Sequence, residues 1–157
     1  MHRTYENEDI VVFWDSDRCR HARKCVQGSP GVFNFTKRPW IDLSGASNPQ
    51  IWKTVEQCPS GALQIVYRHG IDVVFDEENR RSIALDQDRL IGECDYQETP
   101  EEFRIVHTEV LPEYSGKNIG KRLVYCVTES AERRKKTVVP ICSYAVKVLS
   151  PDVAAST

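Results

Sequence analysis

The apolar positions along the chain fall into segments with two different periods. Ile10-Val11-Val12-Phe13-Trp14 is a continuous apolar run between charged residues, which predicts a buried strand. Ala62-Leu63-Gln64-Ile65-Val66-Tyr67 predicts a strand that closes the same small sheet. Between them, Ile51, Trp52 and Val55 are apolar at helical spacing. They predict a helix from about 49 to 57, with Asn48 as N-cap and Pro49 at its first position. Beyond Arg68-His69-Gly70 the pattern changes. Segments 71–76 and 81–86 flank the turn Glu77-Glu78-Asn79-Arg80, and 89–97 and 102–111 continue an antiparallel run. Ile119, Leu123, Val127 and Ala131 form one apolar stripe and predict a long helix over 119–136. Arg133, Arg134, Lys135 and Lys136 suit the negative end of its dipole. Residues 137–139 begin a last strand.

This order of elements predicts an α+β chain of two small modules, 1–69 and 70–150, followed by a flexible tail over 151–157. The first module is small for an independent core, so a bound metal group would help hold it together. Composition narrows the partners. A net charge of −2 and a pI of about 6.1 provide no broad basic field for nucleic acid. No apolar run approaches membrane-spanning length, and the polar opening Met1-His2-Arg3-Thr4-Tyr5-Glu6 does not read as a signal peptide. A soluble, cytoplasmic protein is expected. In that setting six cysteines point to ligands, core residues or catalytic groups rather than disulfides.

Three of those cysteines carry the strongest chemistry. Cys19 and Cys25 lie in Cys19-Arg20-His21-Ala22-Arg23-Lys24-Cys25, and the remote Cys58 is followed by Pro59-Ser60-Gly61-Ala62-Leu63. A bacterial-type cluster loop uses three cysteines at two-residue intervals plus a distant Cys-Pro. Here the middle position is Ala22, so the chain offers three thiolates. A [3Fe-4S] cluster needs no further ligand. A [4Fe-4S] cluster would take its fourth from His21, water or a small molecule. Zinc held by three cysteines and a histidine, or buried thiols with no metal, are the competing readings. Residues 10–67 resemble the divergent single-cluster ferredoxin domains, in the Cys-x5-Cys spacing, in Cys-Pro-Ser-Gly-Ala-Leu, and in Gly31-Val32-Phe33 and Arg38-Pro39-Trp40-Ile41. The resemblance implies an iron–sulfur cluster on Cys19, Cys25 and Cys58, with His21 as candidate fourth ligand, and electron transfer with a redox partner. The basic Arg18, Arg20, Arg23 and Lys24 offset the cluster's negative charge or dock an acidic partner.

The second chemical signal is a strand, a glycine-containing turn and a long helix. It spans Leu111-Pro112-Glu113-Tyr114-Ser115-Gly116-Lys117-Asn118-Ile119-Gly120-Lys121. Backbone N–H groups at such a turn can hold a pyrophosphate. Residues 71–150 resemble the short acetyltransferase-like family related to the GCN5 superfamily. The matching pieces are Val106-His107-Thr108-Glu109-Val110, the run from Gly116 to Leu123, and Val139-Pro140-Ile141-Cys142-Ser143-Tyr144. The resemblance implies a sheet with one main helix, and acetyl-CoA bound by Val110, Ser115, Gly116, Lys117, Asn118, Ile119, Gly120 and Lys121. Ser115 stands where that superfamily carries Arg or Gln, and Asn118 where it carries the middle glycine. Cys142 and His107 are the catalytic candidates. The thiol of Cys142 can take the acetyl group and pass it on. Alternatively an amine attacks acetyl-CoA directly and gives its proton to His107 or Glu109. Cys94 and Cys126 read as structural. The leading expectation is redox-regulated acetyl transfer to an amine. The rival is a ferredoxin-type carrier whose second module only binds CoA or a partner.

Overall fold

The structure is a computed structural model that describes residues 1–150. It divides into two compact units, Arg3–Arg68 and a second beginning at His69. The expected tail over 151–157 lies outside the described residues.

The first unit is built on a three-stranded sheet, β1 (His2–Glu6), β2 (Ile10–Asp15) and β3 (Leu63–Tyr67), with β2 in the middle. β2 and β3 run antiparallel from Ile10↔Tyr67 to Trp14↔Leu63. A one-turn helix, α1 (Lys24–Gly28), follows the cysteine loop, and α2 (Asn48–Glu56) lies over the sheet. Period-two alternation puts Ile10, Val12 and Trp14 in one core with Val32, Phe33, Ile41, Ile51 and Val55. The capping of α2 differs from the expectation by one residue. Ser47 is the N-cap, its hydroxyl accepting from the Gln50 N–H at 3.4 Å. Asn48 instead turns its amide outward, to Asn7 (2.9 Å) and Asp9 (3.1 Å). A local polar contact outside the helix claims the side chain that its residue type would commit to the cap.

The second unit is a five-stranded sheet in sequential order: β4 (Ile71–Asp76), β5 (Arg81–Asp86), β6 (Arg89–Glu98), β7 (Glu102–Val110) and β8 (Thr137–Pro140). β4 to β7 are antiparallel, as the turn signals indicate. β8 is parallel to β7, so the sheet is mixed. The cause is α3 (Ile119–Arg133), a crossover helix that returns the chain in the direction it left. The stripe Ile119, Leu123, Val127 and Ala131 is fully buried against Ile71, Ala84, Ile91, Phe103 and Ile105. Two buried polar bonds fix the helix on the sheet: Ser82 Oγ donates to the Leu123 carbonyl and Arg122 Nη2 to that of Ile71, both at 2.8 Å.

α3 ends at Arg133, three residues before the expected position. Lys135 adopts the left-handed conformation (φ 58°), and the N–H groups of Lys135 and Lys136 return to the Glu132 and Ala131 carbonyls. This is a Schellman stop made by lysine instead of glycine. A short helix that the apolar pattern does not announce, α4 (Ser143–Leu149), closes the described chain. No described helix is long and apolar enough to cross a membrane.

Candidate functional sites

The first site grows from the loop between β2 and α1. Cys19 leaves a short turn at the end of β2, Cys25 is carried by α1, and Cys58 follows α2. All three thiols line one small pocket with Trp14, Phe35, Pro59 and Leu63. The loop reaches this position through two left-handed residues, His21 (φ 56°) and Arg23 (φ 62°). The backbone N–H of His21 donates to Cys19 Sγ at 3.4 Å, which fixes the turn, and the residue lines the same pocket.

The thiols differ in their surroundings. Burial pushes Cys25 above the ordinary thiol range, helped by the neighbouring Cys58 and Cys19 and opposed by backbone hydrogen bonds. Burial also acts on Cys58, but it is outweighed. The Leu63 N–H, the Ser60 hydroxyl (3.7 Å from Cys58 Sγ) and the Ser60 and Ala62 N–H groups favour the thiolate and hold its pKa below the usual value. The pocket thus gathers three sulfurs, one of them in an N–H and O–H cradle, which are the donor type an iron–sulfur cluster takes, although among the described residues no three such groups stand close enough together to hold a single metal ion. Ala22 also lines the pocket and supplies no ligand atom.

The second site lies where β7 and β8 part. Their pairing runs from Glu102↔Thr137 to Ile105↔Pro140, and the Ile141 and Cys142 N–H groups then both bond the Ile105 carbonyl (2.9 and 3.0 Å). β7 continues to Val110 beyond that point. The space beside it is a cavity of about 360 Å³ lined by Thr108, Val110, Tyr114, Ser115, Gly116, Lys117, Asn118, Ile119, Gly120 and Tyr144. Seven of the eight residues expected to bind acetyl-CoA are in that wall: Val110, Ser115, Gly116, Lys117, Asn118, Ile119 and Gly120. Lys121 lies just behind it; its N–H bonds the Tyr144 hydroxyl and its ammonium sits 6.0 Å from the Tyr125 ring centroid.

The cavity wall is the open end of α3. Asn118 is the N-cap in left-handed geometry (φ 59°), makes no side-chain cap, and follows Gly116 at φ 77°. Asn at the position of the expected glycine therefore keeps the left-handed turn, as its short polar side chain allows. Asn118 does not cap them, so the first N–H groups of the helix are left to other partners, that of Lys121 to the Tyr144 hydroxyl. Tyr144 comes from α4 and packs over Gly120, where a Cβ would stand 2.7 Å from its hydroxyl. Burial raises the Tyr144 pKa, so the phenol carries its proton near neutrality.

Tyr144, Tyr114 and Thr108 were not among the expected site residues. Tyr114 belongs to a short 3-10 turn and donates to Asp86 at 2.5 Å. Thr108 alternates with His107 and Glu109 along β7. No sequence signal marks Tyr144, because the helix that carries it is too short to show a period.

The two catalytic candidates are not brought together. Cys142 is the N-cap of α4, its sulfur accepting from the Ala145 N–H at 3.4 Å and lying 3.5 Å from the Thr108 hydroxyl. His107 is next to Thr108 in the strand and so faces the other side of the sheet. There it meets Glu109 at 3.4 Å and the charges of Glu93 and Asp95. Burial, then the adjacent Glu93, pushes the Asp95 carboxyl up to about 6. Cys94 is fully buried and pushed up to about 12 by burial, so its thiol stays protonated.

Comparison with known proteins agrees with the architecture of both units. Residues 5–68 match the family model described as a divergent 4Fe-4S mono-cluster, and residues 80–153 that of a GCN5-related N-acetyl-transferase. The chain belongs to the divergent 4Fe-4S mono-cluster family through its first unit and carries a GCN5-related acetyltransferase-like domain in its second. The Escherichia coli K12 protein described as "Uncharacterized protein YjdI" is 37% identical over 68 residues, which span 43% of this chain and 87% of that protein. Its counterpart in Escherichia coli O157:H7 matches to the same extent.

Proposed function

We propose that the protein binds an iron–sulfur cluster through Cys19, Cys25 and Cys58, and that its second unit transfers an acetyl group from acetyl-CoA to an amine. When bound, the cluster supplies reversible one-electron chemistry. The convergence of three thiols on one pocket supports the first part. The observation that carries the second is the cavity between the free end of β7 and the start of α3, which Asn118 leaves without a side-chain cap. The backbone N–H groups at that start, with Lys117 beside them, suit the pyrophosphate of CoA. The thioester then lies along β7 beyond Ile105, near Thr108 and Tyr144.

In the direct reaction the amine nitrogen attacks the thioester carbonyl. A C–N bond forms, the C–S bond breaks and the CoA sulfur leaves. Tyr144 donates a proton to that sulfur; His107 faces away from the cavity, so the proton lost by the amine passes to water in the open cavity. Cys142 is the alternative first acceptor, one hydroxyl away from the cavity wall through Thr108. Control of the transfer by the redox state of the cluster is proposed because one chain carries both activities.

Calorimetry with acetyl-CoA, followed by mass spectrometry of an amine panel, tests the reading. The expected result is binding and acetylated product, with Tyr144→Phe reducing turnover about 10²-fold or more and His107→Ala, whose ring faces away from the cavity, leaving it within a few-fold. Acetyl found on Cys142 in the absence of amine, and lost product in Cys142→Ser, would select the two-step route. No acetyl-CoA binding would leave an electron carrier with a non-catalytic second unit. Equal turnover with the cluster oxidised, reduced and removed would refute the regulatory part.

A further inference from the structure

We infer that the loop face over Cys19, Cys25 and Cys58 is a docking surface for a redox protein whose electron-transfer edge is ringed by carboxylates. The inference rests on the cluster reading above. At its centre is Phe35, which lines the thiol pocket and yet is 45% exposed. It lies flat on Trp40, ring centroids 4.7 Å apart and 11° from parallel, and Trp40 in turn meets the pocket residue Trp14 edge-on at 4.8 Å. A rigid aromatic held outward in this way is a typical anchor of an interface, and cations around an apolar centre are its usual rim.

Arg20, Arg23 and Lys24 form that rim. They line the same pocket, are exposed, and pair with no carboxylate among the described residues. Arg38 adds a fourth charge and donates only to backbone carbonyls, those of Phe35 (3.0 Å) and Lys37 (2.9 Å). Several cations elsewhere are paired, although Lys53, Arg80, Lys117, Lys135 and Lys147 have no carboxylate within 4 Å among the described residues. Arg81, Arg89, Arg104 and Arg134 each have a carboxylate within 3.2 Å. In a chain of net charge −2, four uncompensated cations gathered around one exposed aromatic ring select an acidic partner and steer it there. Nucleic acid is the poorer fit, since its phosphates need an extended basic track and this patch is small and centred on an apolar ring.

The test uses the full chain with its cluster reconstituted, an acidic flavodoxin as probe, and basic cytochrome c and a single-stranded oligonucleotide as controls. Calorimetry is run at about 20 and about 300 mM salt. Flavodoxin is expected to bind at low salt and to weaken about tenfold or more at high salt. Arg20→Glu/Arg23→Glu/Lys24→Glu should weaken it by a similar factor and strengthen cytochrome c. Phe35→Ala should weaken flavodoxin while leaving the salt dependence unchanged. Iron and sulfide content measured on the same samples separates the two levels. If the charge-reversed chain loses its cluster, the milder Arg20→Gln/Lys24→Gln pair replaces it. A wild-type chain that takes up no cluster overturns the cluster reading itself. With the cluster intact, three results overturn the docking surface alone: no flavodoxin binding, binding unchanged by these substitutions, or an oligonucleotide that binds equally well.

Discussion

Gly120→Ala separates the fold of the second unit from the use of its cavity. Gly120 sits in the first turn of α3, and the new methyl would stand 2.7 Å from the Tyr144 hydroxyl, 2.8 Å from Cζ and 2.9 Å from Cε1. Ordinary carbon contacts lie at about 3.5–4.0 Å, so the ring must move by roughly 1 Å. The atoms in the way are the outer end of a side chain that is 39% exposed, not backbone, so the ring can move without unfolding its surroundings. Overpacking costs about 1–3 kcal/mol, and replacing glycine by alanine in a helix returns up to about 1 kcal/mol. Stability should therefore fall by no more than about 3 kcal/mol. Function should suffer more, because a misplacement of about 1 Å can cost about 10²-fold in rate. The displaced ring also narrows the cavity at the helix start. Urea denaturation followed by circular dichroism measures the first effect, and calorimetry with acetyl-CoA plus turnover of an amine measures the second. A variant with unchanged acetyl-CoA affinity and unchanged turnover would refute the assignment of this cavity.

Three further outcomes follow from the same structure. Cys25→Ala or Cys58→Ala should abolish most of the iron and sulfide content, and removing the cluster with a chelator should lower the melting temperature of the first unit, whose core includes the half-buried cysteines. Asp95 has a folded-state pKa of about 6, above the value of about 3.9 expected unfolded. The folded state therefore holds the extra proton between these values, and its stability declines as pH rises through them. Asp95→Asn should remove that decline, melting higher than wild type above pH about 6 and converging with it below pH about 4; curves that stay parallel would contradict the raised carboxyl. Leu123→Ala, at a position with no exposure, should cost about 2–5 kcal/mol in urea unfolding, and a loss under 1 kcal/mol would mean the stripe is not the core.

Most of the fold was legible because the chain's periods are clean. The short β-branched and aromatic run Ile10–Trp14 and the alternating segments of the second half read as strands, and the stripe from Ile119 to Ala131 as a helix. What escaped depended on contacts or backbone angles that residue types do not announce. Lys135 ends α3 in a conformation usually left to glycine, and Ser47 displaces Asn48 as cap because Asn48 has partners across the first unit. The parallel edge strand follows from the path of the crossover helix, which strand propensity alone cannot show. The turn residues of the cavity were readable through the resemblance of residues 71–150 to the acetyltransferase-like family, since a glycine-containing turn before a helix is by itself most often an ordinary connection. Tyr144 was not, since its place depends on α4 folding back over Gly120. The opposite orientations of His107 and Cys142 were hidden for the same reason: strand alternation gives a face only once the partner of that face is known.

Iron and sulfide analysis with EPR, on protein purified without oxygen, tests the central claim most directly. The account predicts bound iron and sulfide in every folded molecule, with the signal lost in Cys19→Ala, Cys25→Ala and Cys58→Ala. A signal in the oxidised state that vanishes on reduction would mean [3Fe-4S] on three thiolates. A signal that appears only on reduction would mean [4Fe-4S] and direct attention to His21→Ala. Protein that holds neither iron nor sulfide, even after reconstitution, would contradict the account.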